Sequence, residues 1–211
     1  MALFTDADRK RVEQAIAEVE QKTAGEIVVA TVSECDDYHD LRFLYAATCA
    51  VAGAAIVHLL QPLLAVSWLL WLQIGIALVA YVAFSWPPLL RWLVPGARQE
   101  GAALRRAREA FFEHGVYKTR DRSGVLIFIS ELEHRVVLLG DEGIHARVQV
   151  DGWQEHVRHV VEAIRAGRPA DGVHQVIRDL GTVLERDFPR REDDRDELSN
   201  RVIEERKGGQ R

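Results

Sequence analysis

Between Arg42 and Arg91 the chain runs for 48 residues without Asp, Glu, Lys or Arg, while on either side apolar and charged positions alternate with the periods of ordinary secondary structure. A bilayer span needs about 20 apolar residues. The block therefore predicts two spans, at about 43–60 and 66–86, broken near Gln61-Pro62 and ended by Pro87-Pro88. Aromatics fall where the interfaces belong: Phe43 and Tyr45 open the first span, Trp68 and Trp71 open the second, and Trp86 and Trp92 close it. Ala46, Ala50 and Ala54 recur every four residues, a small-residue stripe along which two helices can approach closely. His58 sits near the end of its span, where an interfacial position suits it. An apolar hairpin in a soluble protein is the competing reading; the length of the block and its aromatic belts weigh against it.

The flanks carry different periods. Thr5 with Asp8 three residues on predicts a capping box, and Val12, Ala15, Ile16 and Val19 form the apolar stripe of the helix that follows. Gly25 ends it, and Glu26 to Val32 is a β-rich run leading to an acidic stretch. After the block, Arg98 to His114 reads as a helix capped by Gly115. Val125 to Ser130 is a near-continuous apolar strand of the kind buried on both faces, and Arg135 to Leu139 returns from a turn at Glu131 to His134. Helices at about 151–166 and 170–186 complete the pattern. The expected fold class is α/β: a small mixed β-sheet sandwiched by helices and interrupted by a two-helix transmembrane hairpin. Residues 1–42 plus 98–189 form a discontinuous domain, 43–90 the hairpin, and 189–211 a charged tail expected to be disordered or a solvated helix.

Charge sets the orientation. The loop between the spans has no basic residue, whereas Arg42 precedes the first span and Arg91, Arg98, Arg105, Arg106 and Arg108 follow the second. The positive-inside rule then predicts a two-pass protein of the inner (cytoplasmic) membrane with both termini cytoplasmic, its partner being the membrane lipid bilayer. The N-terminus lacks a basic region followed by an apolar one, so no cleaved signal is expected. A net charge of −5 points away from nucleic acid. Cys35 lies in acidic polar sequence and Cys49 inside the apolar block, so they are not expected to pair.

Strand direction suggests where chemistry would sit. If the first two strands are parallel and the third returns antiparallel, Glu26, Asp121 and Asp141 share one sheet end, with Glu142 and His145 close in sequence. Together with Arg120 and Arg122, these carboxylates would hold a hard divalent cation such as calcium or magnesium and orient a phosphate. The same residue types also make ordinary solvated turns. The other sheet end gathers Glu34, Asp36, Asp37, Glu131 and Glu133, expected to stay hydrated and to lie nearest the bilayer. His156 and His159 are three apart on a helix, but His159 points away from its apolar face and no Cys or third His is spaced to complete a zinc site. The sequence has no glycine-rich phosphate loop, no Gly-x-Ser-x-Gly elbow and no Cys/His nucleophile pair.

Three segments carry a family resemblance: Gly25-Glu26-Ile27-Val28-Val29, Thr119 through Ser130, and Val137-Leu138-Leu139-Gly140-Asp141-Glu142-Gly143-Ile144. Over residues 1–42 and 98–189 the chain resembles the TPM domain family, which includes thylakoid phosphatase-like repair proteins, an acetylcholine-receptor modulator and many bacterial membrane proteins. It departs from the family at Arg122-Ser123-Gly124, where an Asn-Gly turn is common, and at Gly140 through Ile144, which replaces a Gly-Tyr-Gly-Leu-Glu-like segment. With the membrane anchor and the lack of a recognisable catalytic set, the diverse partners of the family it resembles imply a non-catalytic accessory factor for membrane-protein assembly, turnover or envelope homeostasis, with a membrane-protein partner. The alternative that the resemblance implies is a divalent-metal-assisted acid phosphatase, for which the strand-end reading supplies the residues: Asp121, Asp141 and Arg122 in catalysis, with Glu26, Asp121, Asp141 and Glu142 around the metal.

Overall fold

The structure, a computed structural model, describes residues 3–147, 153–191, 193–194 and 197–205. It divides into two compact units: Met1–Cys35 with Gln99–Arg211, and Asp36–Arg98.

The larger unit is built on a four-stranded mixed sheet. Strands β1 (Glu26–Val32), β2 (Gly124–Ser130), β3 (Arg135–Gly140) and β4 (Ile203–Glu205) lie in the order β3-β2-β1-β4. β1 runs parallel to both β2 and β4, while β3 pairs antiparallel to β2. Every residue of β1 and β2 is buried, because these two central strands are covered on both faces. Alternate side chains divide between two cores, as the pleat requires. Ile27, Val29, Val125, Ile127 and Ile129 pack with apolar residues of helices α1 (Asp6–Glu20), α7 (Trp153–Arg165) and α8 (Pro169–Asp187). Val28, Ala30, Val32, Leu126 and Phe128 face Ala107, Ala110 and Phe111 of helix α5 (Gly96–Glu113). Each fully buried Ile, Leu or Phe adds about 1.5–3 kcal/mol of apolar transfer, so the sheet's position between the helical layers is strongly determined. The capping box foreseen at Thr5 and Asp8 is present, each side chain bonding the other's backbone N–H.

The smaller unit is a helical hairpin. Helices α2 (His39–Leu60) and α3 (Val66–Ala83) pack against each other, with the Ala46, Ala50 and Ala54 stripe buried, and a short helix α4 (Pro87–Leu93) follows. Both long helices have the length and the hydropathy to cross a membrane, and most of their apolar surface is exposed. A fork from Arg98 onto Asp40, 2.6 and 2.8 Å, closes the base of this unit.

The tail is the main correction to the sequence reading. Ile203–Glu205 is an edge strand on β1, Val202 is buried, and Arg191, Asp193, Glu197 and Leu198 all bond to the body of the domain. Composition failed here because the tail docks through backbone pairing and ion pairs, which need no apolar run. Two elements had no sequence signal long enough to see: α4, and a one-and-a-half-turn helix α6 (Glu142–Arg147) straight after β3. Cys35 and Cys49 are both free, as expected.

Candidate functional site

The pairing registers bring Glu26 opposite Gly124 and Gly140 opposite Val125. Glu26, Asp121 and Asp141 therefore do share one end of the sheet, the end at which β1 and β2 begin. Sharing an end is weaker than converging. Glu26 is 5% exposed, and its two oxygens accept hydrogen bonds from the backbone N–H groups of Glu197 (3.0 Å) and Leu198 (3.3 Å). Asp121 lies 3.4 Å from Arg191 Nη2. Arg120 gives its guanidinium to Asp193 at 2.9 Å and its backbone N–H to Glu197. That guanidinium holds the Asp193 carboxyl below the usual carboxylate range. Three of the tail's acidic and basic side chains thus close over the rim.

Asp141 sits differently. It is 8% exposed and opens α6: its Oδ1 accepts from Glu142 N–H, and its carbonyl accepts from Ile144 and His145 N–H. Its Oδ2 is buried without a hydrogen-bond partner, 3.6 Å from Arg122 Nη1. Arg122 itself has φ 55°, an uncommon conformation for a residue with a Cβ, and its guanidinium also donates to Tyr117 O. The turn is held this way by close backbone packing. A Cβ on Gly143 would lie 2.5 Å from Asp121 O and 2.7 Å from Arg122 O, so only glycine lets α6 press against the Asp121-Arg122 turn. Glu142 stays mostly exposed, 4.0 Å from Arg122.

A hard divalent cation takes six or more oxygen ligands. Among the described residues, Glu26, Asp121, Asp141 and Glu142 do not bring three ligand atoms together, and Glu26 is already filled by backbone donors. The orphan Asp141 oxygen is the one atom placed as such a site would want it. As arranged, these residues do not fit the cage. The His156 and His159 side chains lie outside what the structure describes.

The other sheet end departs further from expectation. Glu133 is not hydrated: it is 2% exposed, accepts from Cys35 N–H at 3.0 Å, and takes a short hydrogen bond from Ser130 Oγ. Beside it, burial and the Glu133 charge push the Cys35 thiol up to about 12. Glu131 is half-buried and accepts from Leu3 N–H; burial pushes its carboxyl up. Farther along the same end, Arg106 ties Glu109, Glu113 and Glu205 together, and His114 Nε2 meets Glu205 Oε1 at 2.7 Å. Sequence reasoning had no route to this group, since Glu205 comes from a strand it did not foresee.

A family model for the TPM domain matches residues 1–52 and 93–183, most of the chain and both sides of the hairpin. The chain belongs to the TPM domain family. Among solved structures, the TPM chain resembles the NMR structure of the BA42 protein from the psychrophilic bacterium Bizionia argentinensis, with a TM-score of 0.61 and 19% identity over 97% of each chain. At that identity the likeness establishes the fold alone. Comparison with curated proteins found no match.

Proposed function

We propose that this TPM-domain chain is a two-pass protein of the cytoplasmic membrane, both termini cytoplasmic, whose domain serves as an accessory docking module in membrane-protein assembly, turnover or envelope homeostasis. One observation carries the topology: β1 and β2 pair in unbroken parallel register from Glu26–Gly124 to Val32–Ser130, although the apolar hairpin separates them in sequence. Strands joined in this way lie on the same side of any bilayer the hairpin crosses. Exposed side chains such as Leu63, Trp68, Trp71 and Trp86 belong in a bilayer rather than in water. The docking role draws support from the rim, where Glu26 and Asp121 serve the fold by holding the tail. Fusing a reporter active only in the cytoplasm to residue 1, and separately to residue 211, should give signal at both ends; opposite results would sink the topology. Affinity purification across several detergents should recover one reproducible membrane-protein partner, and a clean preparation in all of them would refute the docking role.

A second reading, hydrolysis of phosphate monoesters, has the orphan Asp141 Oδ2 beneath Arg122 in its favour, although the described carboxylates around it do not form a metal cage. Full-length protein in detergent should then cleave a generic phosphate monoester, with Asp141→Asn abolishing turnover. Turnover untouched by both Asp121→Asn and Asp141→Asn would identify a contaminant.

A further inference from the structure

We infer that the tail strand and the end of α5 build a site for a borderline divalent transition metal, zinc being the natural occupant, formed by Glu113, His114 and Glu205. One ligand atom from each lies within 4.8 Å of the others. They come from two places 91 residues apart in sequence, and fold geometry brings them together. Glu113 is the last residue of α5 and His114 the first beyond it, just before the turn at Gly115. Glu205 is the last residue of β4, held beside Val32 by the strand register.

Three properties of the group suit a metal. The first is burial: the Glu205 side chain is 6% exposed, and its Oε2 lies off the line of any hydrogen bond although Arg106 Nη2 is 2.6 Å away. The second is charge. Among the described residues, Arg106 is the one arginine or lysine that ion-pairs with Glu109, Glu113 and Glu205, so three carboxylates face a single fixed cation. A divalent ion would balance them. The third is support: Arg106 Nη2 touches an oxygen of both Glu113 and Glu205, as outer partners that orient ligating carboxylates do. An imidazole with two carboxylates favours zinc or cobalt over calcium or magnesium, which take oxygen donors. The partly exposed His114 and Glu113 leave a way in for the ion and for a completing water. The bound ion would fasten β4, only three residues long, to α5. This site is at the opposite end of the sheet from Asp121 and Asp141 and does not rest on the docking role.

Chelator-treated full-length protein in detergent micelles, titrated with zinc by calorimetry, should bind one equivalent, and cobalt should give visible d–d absorption of a low-coordinate site. Glu205→Gln, His114→Gln and Glu113→Gln should each weaken zinc binding by roughly 100-fold, while Asp141→Asn leaves it unchanged. Hydrogen exchange supplies a second readout: zinc should slow exchange at Ile203 to Glu205 in the wild type and not in the variants. If one variant fails to fold by circular dichroism, the other two decide. Absence of saturable binding in the wild type, or binding retained in the folded variants, overturns the proposal.

Discussion

The two ends of the sheet contrast in what their acidic residues do. Where β1 and β2 begin, the buried Glu26 accepts from the tail's backbone, Asp121 meets Arg191 nearer the surface, and Asp141 is pinned by a tight turn. Where they end, Glu133 and Glu205 are buried and bonded to hydroxyl, backbone, arginine and imidazole groups under α5 and the edge strand. The first arrangement depends on backbone fit, the second on ion pairs and hydrogen bonds made under cover. A carboxylate near the tip of a strand is therefore no guide to hydration until its cover is known.

The contrast can be broken by substitution, the largest effect first. At the beginning end, a Cβ on Gly124 would lie 2.2 Å from Val116 O, a backbone atom that cannot swing away. Gly124→Ala should lower stability by about 3 kcal/mol, at the top of the overpacking range; urea titration measures it, and a cost below ~1 kcal/mol would mean the approach relaxes freely. At the other end, Glu133→Ala strands the Cys35 N–H and Ser130 hydroxyl in the interior. A loss of about 1–3 kcal/mol is expected, and near-neutral behaviour would show that water reaches the site.

Glu26→Gln keeps the shape but removes the charge that strengthens the bonds to Glu197 and Leu198. The expected global change is about 1 kcal/mol, with faster hydrogen exchange confined to the tail around residue 197. Exchange that rises evenly through the domain would instead make Glu26 part of the core.

The smallest effect on stability, and the sharpest on reactivity, belongs to Cys35. Its thiol is raised from 9.0 to about 12 by burial, then by the Glu133 charge. The thiolate population at mild alkaline pH should be about a thousandfold below that of an ordinary cysteine, so iodoacetamide should label Cys35 only after denaturation. The folded state keeps this thiol protonated. Its contribution is thus intact below pH 9 and falls away as pH rises from 9 toward 12. Rapid native-state labelling at pH 8 would show that the pocket opens.

Much of the architecture was legible in order. Glu26–Val32 matches its strand residue for residue, the capping box is where it was expected, and the strands at Val125 and Arg135 and helices α5, α7 and α8 fall within a residue or two of expectation, whereas α2 begins four residues before the expected span and α3 ends three residues short of it. The candidate rim was half legible: strand direction put Glu26, Asp121 and Asp141 at one end, but could not tell convergence from mere proximity, nor see Arg191, Asp193 and Glu197 folding over them.

What the sequence by itself determined is everything written in local periodicity and in runs of one polarity. The near-continuous apolar runs of β1 and β2, the stripe of α1 and the 48-residue uncharged block each mark by their own pattern which surfaces must leave water, whatever the rest of the chain does. Tertiary structure alone decided the fate of the charged tail and of the polar groups at both sheet ends. Backbone pairing between Ala30–Val32 and Ile203–Glu205 is blind to side-chain polarity, so composition holds no record of it. Whether a glutamate is a solvated rim residue like Glu142 or a buried one like Glu133 depends on which distant element lies over it, and that is a property of the assembled fold.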